Sequence, residues 1–96
     1  MVHLYAEHVI EDYDRWETHH EANADARAAH GSCGTQVFRK RADPTTLLVI
    51  QELEDDRLEE ALTYFESVEF QAVLDDAGVV EITDAGILDR VHEQNV

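Results

Sequence analysis

Three side chains that could do chemistry are spaced so that one pocket could hold them all. His20 and Arg27 lie seven residues apart, which is two turns of a helix, and His8 lies in the segment before that helix. An imidazole can move a proton near neutral pH, and a guanidinium can hold an anion. We expect His8 and His20 to act as acid or base, and Arg27 to hold a small anionic or carbonyl-bearing molecule.

The helix that carries His20 and Arg27 also carries a stripe at spacings of three and four residues. The stripe consists of Tyr13, Trp16, His20, Asn23, Ala24, Arg27 and Gly31. We expect Trp16 and Asn23 to bind substrate beside Arg27. A structural interpretation competes with this one, because a His or Arg at the edge of an amphipathic helix often packs its stem on the core and keeps its head in water. Trp16 with Tyr13 is typical of a core.

A strand and a long helix are predicted to position these residues. Val2–Ile10 alternates as a strand does, which places His8 on a face with other largely apolar residues. Asp12 is a good N-cap for a helix that runs to about His30, and Gly31 supplies its C-terminal stop. The first strand and the inward stripe of the helix therefore bound the predicted pocket.

The next two segments predict a β-hairpin. Residues 35–42 and 46–54 are rich in β-formers, and Asp43-Pro44-Thr45 between them is typical of a type I turn. The run Leu47-Leu48-Val49-Ile50 is apolar on both faces, so both faces of the sheet must be covered. The helices of one chain can cover only one face. We therefore expect a homodimer in which the other face meets a second copy of the sheet.

Two shorter helices and a last strand complete the pattern. Asp55 or Asp56 is expected to cap a helix in which Leu58 and Phe65 share one apolar stripe, and Ser67 caps a further helix that Gly78 ends. A strand follows over residues 79–88. The order β-α-β-β-α-β predicts an α+β protein, a ferredoxin-like sandwich in which residues 1–96 form a single domain.

The charge of the chain excludes some partners and suggests a habitat. Twenty-two Asp and Glu oppose seven Lys and Arg, which gives a net charge of -15. Nucleic acids need a basic face, so we expect none to bind. Six of the seven basic residues are Arg, and the acids are spread along the chain, a pattern typical of salt-accumulating halophiles. The pocket stripe holds no Asp or Glu, so we expect a comparatively basic pocket within an acidic protein.

This charge predicts that the protein folds marginally in dilute buffer. Molar salt shortens the Debye length to about 3 Å, which removes most of the repulsion between like charges. We expect the melting temperature to rise between about 0.1 M and about 3 M KCl. A thermal melt at each salt concentration checks this, and a melting temperature that does not rise would contradict a halophilic origin.

Several other classes of protein do not fit the sequence. Cys33 is the only cysteine, so no disulfide can form within the chain. No apolar run approaches the roughly 18 residues of a membrane span, and no signal peptide is apparent, so we expect a cytoplasmic protein. His19 and His20 are adjacent on a helix and point about 100° apart, so they cannot share a metal ion. We expect no metal.

Five short motifs, in order along the chain, resemble one known family. They are residues 9–16 (Val-Ile-Glu-Asp-Tyr-Asp-Arg-Trp), the helix end at residues 27–31, Phe38-Arg39, Asp43-Pro44, and residues 64–70 (Tyr-Phe-Glu-Ser-Val-Glu-Phe). Together they resemble the dimeric α/β-barrel superfamily, specifically its antibiotic biosynthesis monooxygenase-like branch, over roughly residues 3 to 88. The resemblance implies a two-sheet barrel at a dimer interface, with a pocket between sheet and helices in each subunit.

The resemblance also implies a range of activities. The superfamily holds cofactor-independent monooxygenases, cyclases, isomerases, heme-degrading enzymes and members with no known reaction. The heme-degrading branch places an Asn, a Trp and a heme-ligating His where this chain has His8, Tyr64 and Leu74. Leu74 cannot ligate iron, so we expect no heme and no other cofactor. His8 as an axial ligand from the opposite side stays an alternative. Tyr64, at a position that matches the family's site, is a further candidate for substrate binding.

Two functions are consistent with these observations. The first is a protein that binds a small, partly apolar organic molecule. If it is an enzyme, its reaction is cofactor-independent oxygenation, cyclisation or isomerisation. The second is a non-catalytic stress or accessory protein that shares only the scaffold. A connected pocket that touches His8, His20 and Arg27 would favour the first, and a filled core at those positions would favour the second.

Overall fold

A computed structural model describes residues 2–96, and Met1, the first residue of the predicted domain, lies outside the described residues. The strands are β1 (Val2–Ile10), β2 (Ser32–Lys40), β3 (Asp43–Leu53) and β4 (Val79–Asp89); the helices are α1 (Tyr13–Ala22), α2 (Ala24–Ala29), α3 (Leu58–Phe65) and α4 (Val68–Asp76). A short 3₁₀ turn, Asp55–Arg57, precedes α3. The strands form one antiparallel sheet in the order β2-β3-β1-β4. The predicted ferredoxin-like α+β fold is confirmed.

The predicted first helix is interrupted at one residue. Asp12 caps α1, where its carboxylate accepts a hydrogen bond from the Arg15 backbone N–H at 2.9 Å. At Asn23 the backbone leaves the helical region, with ψ near 6°, and its N–H is shared between the carbonyls of His19 and His20. Asn is a weak helix former, and this Asn uses its side chain elsewhere, so the chain restarts as α2.

The hairpin is confirmed, but its predicted turn is wrong. Lys40 pairs with Asp43, so the turn is Arg41-Ala42 rather than Asp43-Pro44-Thr45. Asp43 and Pro44 are the first residues of β3, a place where the missing N–H of proline does little harm to a sheet. The Asp43 carboxylate instead accepts hydrogen bonds from the hydroxyl groups of Thr45 and Thr46, which fixes the start of the strand.

The inner face of the sheet carries the hydrophobic core, in two clusters. One cluster contains Ile10, Trp16, Leu47, Val49 and Ala77, and the other contains Val2, Leu53 and Ala61. Leu47 and Leu53 are fully buried. A cavity lies in contact with both clusters, and its wall includes Trp16, Val49 and Ala77 of the first cluster.

The outer face of the sheet has no helix on it and is rich in apolar side chains. This face includes Tyr5, Phe38, Leu48, Ile50 and Leu88, which the strand register places on neighbouring positions. Phe38 is 51% exposed and Leu88 is 42% exposed. The prediction that the helices cover one face only is therefore correct for β3. Among the described helices, none is long and apolar enough to cross a membrane.

Candidate functional site

The cavity between the sheet and the helices has a volume of about 200 Å³ and a mostly apolar wall. Five of the six predicted site residues line it: His8, Trp16, His20, Asn23 and Arg27. The sixth, Tyr64, lies behind Asn23 and is buried there. An engineered apolar cavity of about 150 Å³ holds benzene. The space therefore suits an organic molecule of one or two rings.

His8 is a buried imidazole whose orientation is fixed by Trp16. The indole Nε1–H of Trp16 donates a hydrogen bond to Nδ1 of His8 at 3.2 Å. Burial lowers the pKa of His8 from 6.5 to about 4, because the charged ring would lose its hydration. His8 is therefore neutral at physiological pH, and its protonation at Nδ1 is opposed by the Trp16 contact.

The imidazole ring of His20 stacks on the indole ring of Trp16. The rings of Trp16 and His20 stack with centroids 4.6 Å apart and an angle of 12° between their planes. Its Nε2 atom is buried and has no hydrogen-bond partner within residues 2–96. Burial, followed by the nearby charges of Arg27 and His8, lowers the pKa of His20 to about 4. The ring is a neutral base with an unused nitrogen.

Arg27 brings a buried positive charge to the cavity. The side chain belongs to α2, and the residue is 6% exposed. Its Nη1 donates to the backbone carbonyl of His20 at 2.6 Å. No ion pair in the described part of the chain includes Arg27. Burial lowers the pKa of this guanidinium, which nonetheless stays charged. A buried cation without a counterion is costly, and a bound anion would supply one.

Asn23 and Tyr64 are engaged with each other. The amide Nδ2 of Asn23 donates to the Tyr64 hydroxyl at 2.9 Å, and that hydroxyl lies 3.2 Å from Asn23 Oδ1. The Tyr64 ring stacks on His30 with centroids 4.3 Å apart. The pair joins the start of α2 to α3. Substrate binding by Asn23 and Tyr64 stays a prediction.

Two wall residues were not anticipated from the sequence. Gln51 on β3 is 6% exposed, lines the cavity, and accepts a hydrogen bond from Ser32 Oγ at its Oε1 atom, at 2.9 Å. It is the one polar residue among the inward positions of the run from Leu47 to Leu53, which is the signal that could have identified it. Glu66, at the end of α3, also lines the cavity and is exposed. The helical stripe itself holds no Asp or Glu, and Glu66 adds one carboxylate to the wall from outside that stripe.

Leu74 occupies the position where the heme-degrading branch has its ligand. It is buried, 6% exposed, and lines the cavity with an aliphatic side chain. Within residues 2–96, no group of three or more His, Cys, Asp and Glu is arranged to hold a metal ion. Cys33 is exposed on β2 and lies outside the cavity wall.

The sheet order and this site define a ferredoxin-like α+β protein with a ligand-sized cavity under its helices. SnoaB, a cofactor-independent oxygenase from Streptomyces nogalater, has a similar structure, with a TM-score of 0.75 at 13% identity over 99% of this chain and 97% of that chain. A Bordetella bronchiseptica protein assigned as an antibiotic biosynthesis monooxygenase gives 0.75 at 12% identity, over 95% of this chain and 97% of that chain.

A third protein with the same assignment, from Caulobacter crescentus, gives a TM-score of 0.70 at 13% identity over 95% of this chain and 90% of that chain. No protein-family model matches the sequence, and no curated protein is significantly similar to it. At such low identity these likenesses show that the fold is shared. The chemistry must be argued from the residues of this chain.

Proposed function

We propose that the protein binds a small, partly apolar, anionic or electron-rich organic molecule in this cavity. The observation that carries the proposal is that one connected cavity touches His8, His20 and Arg27. A filled core at these positions would have supported the accessory-protein alternative. Trp16 supplies a flat apolar wall, and Arg27 supplies a charge that has no ion-pair partner among the described residues.

The chemistry that we propose for this site is cofactor-independent oxygenation. His20 takes a proton from an acidic C–H or O–H group of the substrate, and Arg27 stabilises the resulting enolate or phenolate. The electron-rich anion then reduces O₂. In a net conversion of a CH₂ group to a carbonyl, one oxygen atom enters the product and the other leaves as water. The structural likeness to SnoaB, an oxygenase without a cofactor, supports this reading of the site.

Proton transfer without oxygen would give cyclisation or isomerisation at the same residues. The two reactions are separated by oxygen consumption, measured with an oxygen electrode on a panel of small quinols and 1,3-dicarbonyl compounds. Turnover with O₂ uptake supports oxygenation, and turnover without it supports isomerisation. His20→Ala should abolish either activity. His19→Ala, a change at the adjacent residue that does not line the cavity, should leave it intact.

Ligand binding itself can be tested before any substrate is known. Native mass spectrometry of the purified protein reports a co-purified ligand as added mass. Trp16 is the only tryptophan and forms part of the cavity wall, so its fluorescence reports directly on occupancy. No added mass, together with no change of fluorescence across a library of small organic acids, would contradict the proposed function.

We also propose that the single domain of residues 1–96 assembles as a homodimer through the outer face of the sheet. Phe38, Leu48 and Ile50 lie together there, and no helix among the described residues covers them. Monomeric proteins rarely expose a contiguous apolar patch of this kind. A second copy of the same face would bury it and form the two-sheet barrel.

A charge placed on the outer face should prevent this assembly. We expect Ile50→Glu to convert the dimer to a monomer, because a buried unpaired carboxylate costs several kcal/mol. Val68→Glu is the matched control, since Val68 is 83% exposed on α4 and lies away from the sheet. Size-exclusion chromatography with light scattering measures both masses. A dimer that survives Ile50→Glu would exclude this face as the interface.

A further inference from the structure

Trp16 decides which nitrogen of His8 can carry a proton. A neutral imidazole has one N–H group, and the nitrogen that accepts a hydrogen bond cannot be the one that carries it. Nδ1 of His8 accepts from the Trp16 indole, which has a donor and no acceptor. The proton of His8 is therefore on Nε2, since the one side-chain hydrogen bond of His8 within residues 2–96 is the one that Nδ1 accepts. His8 presents a donor to the cavity.

Ser32 orients the side-chain amide of Gln51. The Ser32 hydroxyl donates to Oε1 of Gln51 at 2.9 Å, which uses the acceptor end of the amide. The Nε2 amino group of Gln51 has no partner within the described chain, and the residue lines the cavity. Gln51 therefore also offers N–H groups to whatever occupies the site.

Arg27 completes a wall of donors. A guanidinium has five N–H groups and no acceptor. Within residues 2–96, Arg27 makes one hydrogen bond, which it donates to the backbone carbonyl of His20. Asn23 uses both ends of its amide on Tyr64. Glu66 is an exposed carboxylate at the end of α3. His20 differs from the donors, because no hydrogen bond fixes its tautomer and it can accept a proton.

We propose that Trp16 and Ser32 are positioning residues that turn His8 and Gln51 into hydrogen-bond donors, so that the cavity selects the deprotonated form of a small organic acid. This inference rests on the proposed binding function and narrows its ligand class to an oxyanion, a carboxylate or an enolate, on a flat body of one or two rings. A neutral amide of the same shape would direct its own N–H groups at these donors, and each buried unpaired donor costs about 1 to 3 kcal/mol.

Matched probes test the selectivity of the cavity. Benzoate and benzamide have nearly the same shape, and 1-naphthoate and 1-naphthamide extend the comparison to two rings. Isothermal titration calorimetry at neutral pH should show each acid binding at least about 30-fold more tightly than its amide. Amides that bind as well as the acids would overturn the donor arrangement and leave the proposed function standing. Binding of none of the four would overturn both.

Variants of Trp16 and Ser32 distinguish a positioning role of these residues from a merely structural one. We expect Trp16→Phe to release Nδ1 of His8 and to reduce the preference for acid over amide by about tenfold. Tyr13→Phe is the control, because Tyr13 stacks on Trp16 but does not contact His8 in any ring pair or hydrogen bond of the described residues. Ser32→Ala should weaken the preference, and Ser32→Thr, which keeps the hydroxyl, should restore it.

A measurement on the ligand-free protein tests the proton position directly. Long-range ¹H–¹⁵N correlation spectra distinguish protonated from unprotonated ring nitrogens of histidine. The wild-type spectrum at neutral pH should show His8 protonated at Nε2 alone, and Trp16→Phe should show a mixture of tautomers. A wild-type spectrum with the proton on Nδ1 would overturn the proposal, even if Trp16→Phe failed to fold.

Discussion

Replacing Arg27 by methionine is expected to abolish ligand binding and to stabilise the ligand-free protein. Arg27 is the one cation that lines the cavity among the described residues, so the affinity for benzoate should fall about 100-fold, the value of two charge-assisted hydrogen bonds. Arg27 is 6% exposed and has no ion-pair partner in the described chain. A methionine keeps the apolar stem and removes that buried charge.

The stability change should therefore have the opposite sign to the change in affinity. The hydrogen bond to the His20 carbonyl is lost at a cost of about 1 kcal/mol. Removing an unpaired buried charge gains more than this, so we expect the free energy of unfolding to rise by about 1 kcal/mol. Urea unfolding measures this change and calorimetry measures the affinity. Arg41→Met, in the exposed hairpin turn, is the control. A large loss of stability with binding intact would assign Arg27 to the structure alone.

Acidification is expected to destabilise the protein through its two buried histidines. Their pKa values are about 4 in the folded chain and 6.5 in the unfolded chain, so between these values the unfolded state binds more protons. The stability that neutral His8 and His20 contribute is fully present above pH 6.5 and is lost as the pH falls toward 4. For His8 alone the loss between about pH 7.5 and about pH 5 is about 2 kcal/mol.

A difference measurement isolates this effect from the titration of the many carboxylates. His8→Gln keeps a hydrogen-bonding side chain that does not titrate, so its free energy of unfolding relative to the wild type should rise as the pH falls. Urea unfolding at each pH gives the two curves. His19→Gln, at a half-buried residue outside the cavity wall, is the matched control. A His8→Gln curve parallel to that of the wild type would mean that His8 is not desolvated.

Periodicity in the sequence was enough to place the cavity wall. His20, Asn23 and Arg27 are spaced for one face of a helix, and the break at Asn23 leaves all three on the cavity. The alternation of Val2–Ile10 grouped His8 with Leu4 and Ala6 on one face but did not decide which face lines the pocket, and in the structure it is this one. These assignments succeed because the side-chain direction of a helix or strand follows from local geometry.

Features that depend on distant partners could not be predicted in this way. The donor state of His8 requires the contact with Trp16, and that of Gln51 requires Ser32, which is nineteen residues away in the chain. The hairpin turn moved because Asp43 found partners in Thr45 and Thr46, which makes it a strand residue. Each outcome was decided by a competition for hydrogen bonds that sequence spacing does not resolve.

The two walls of the cavity differ in rigidity because α2 is short. His8 and Gln51 lie on the two central strands, β1 and β3, whereas Arg27 lies on a helix of six residues. Six residues are too few for a helix to persist alone, so α2 is helical only while it is docked. Two hydrogen bonds hold α2 near its ends. Asn23 donates to the Tyr64 hydroxyl, and Arg57 donates to the Ala29 carbonyl. An anion bound to Arg27 would therefore oppose local unfolding of α2 and slow amide hydrogen exchange in that helix.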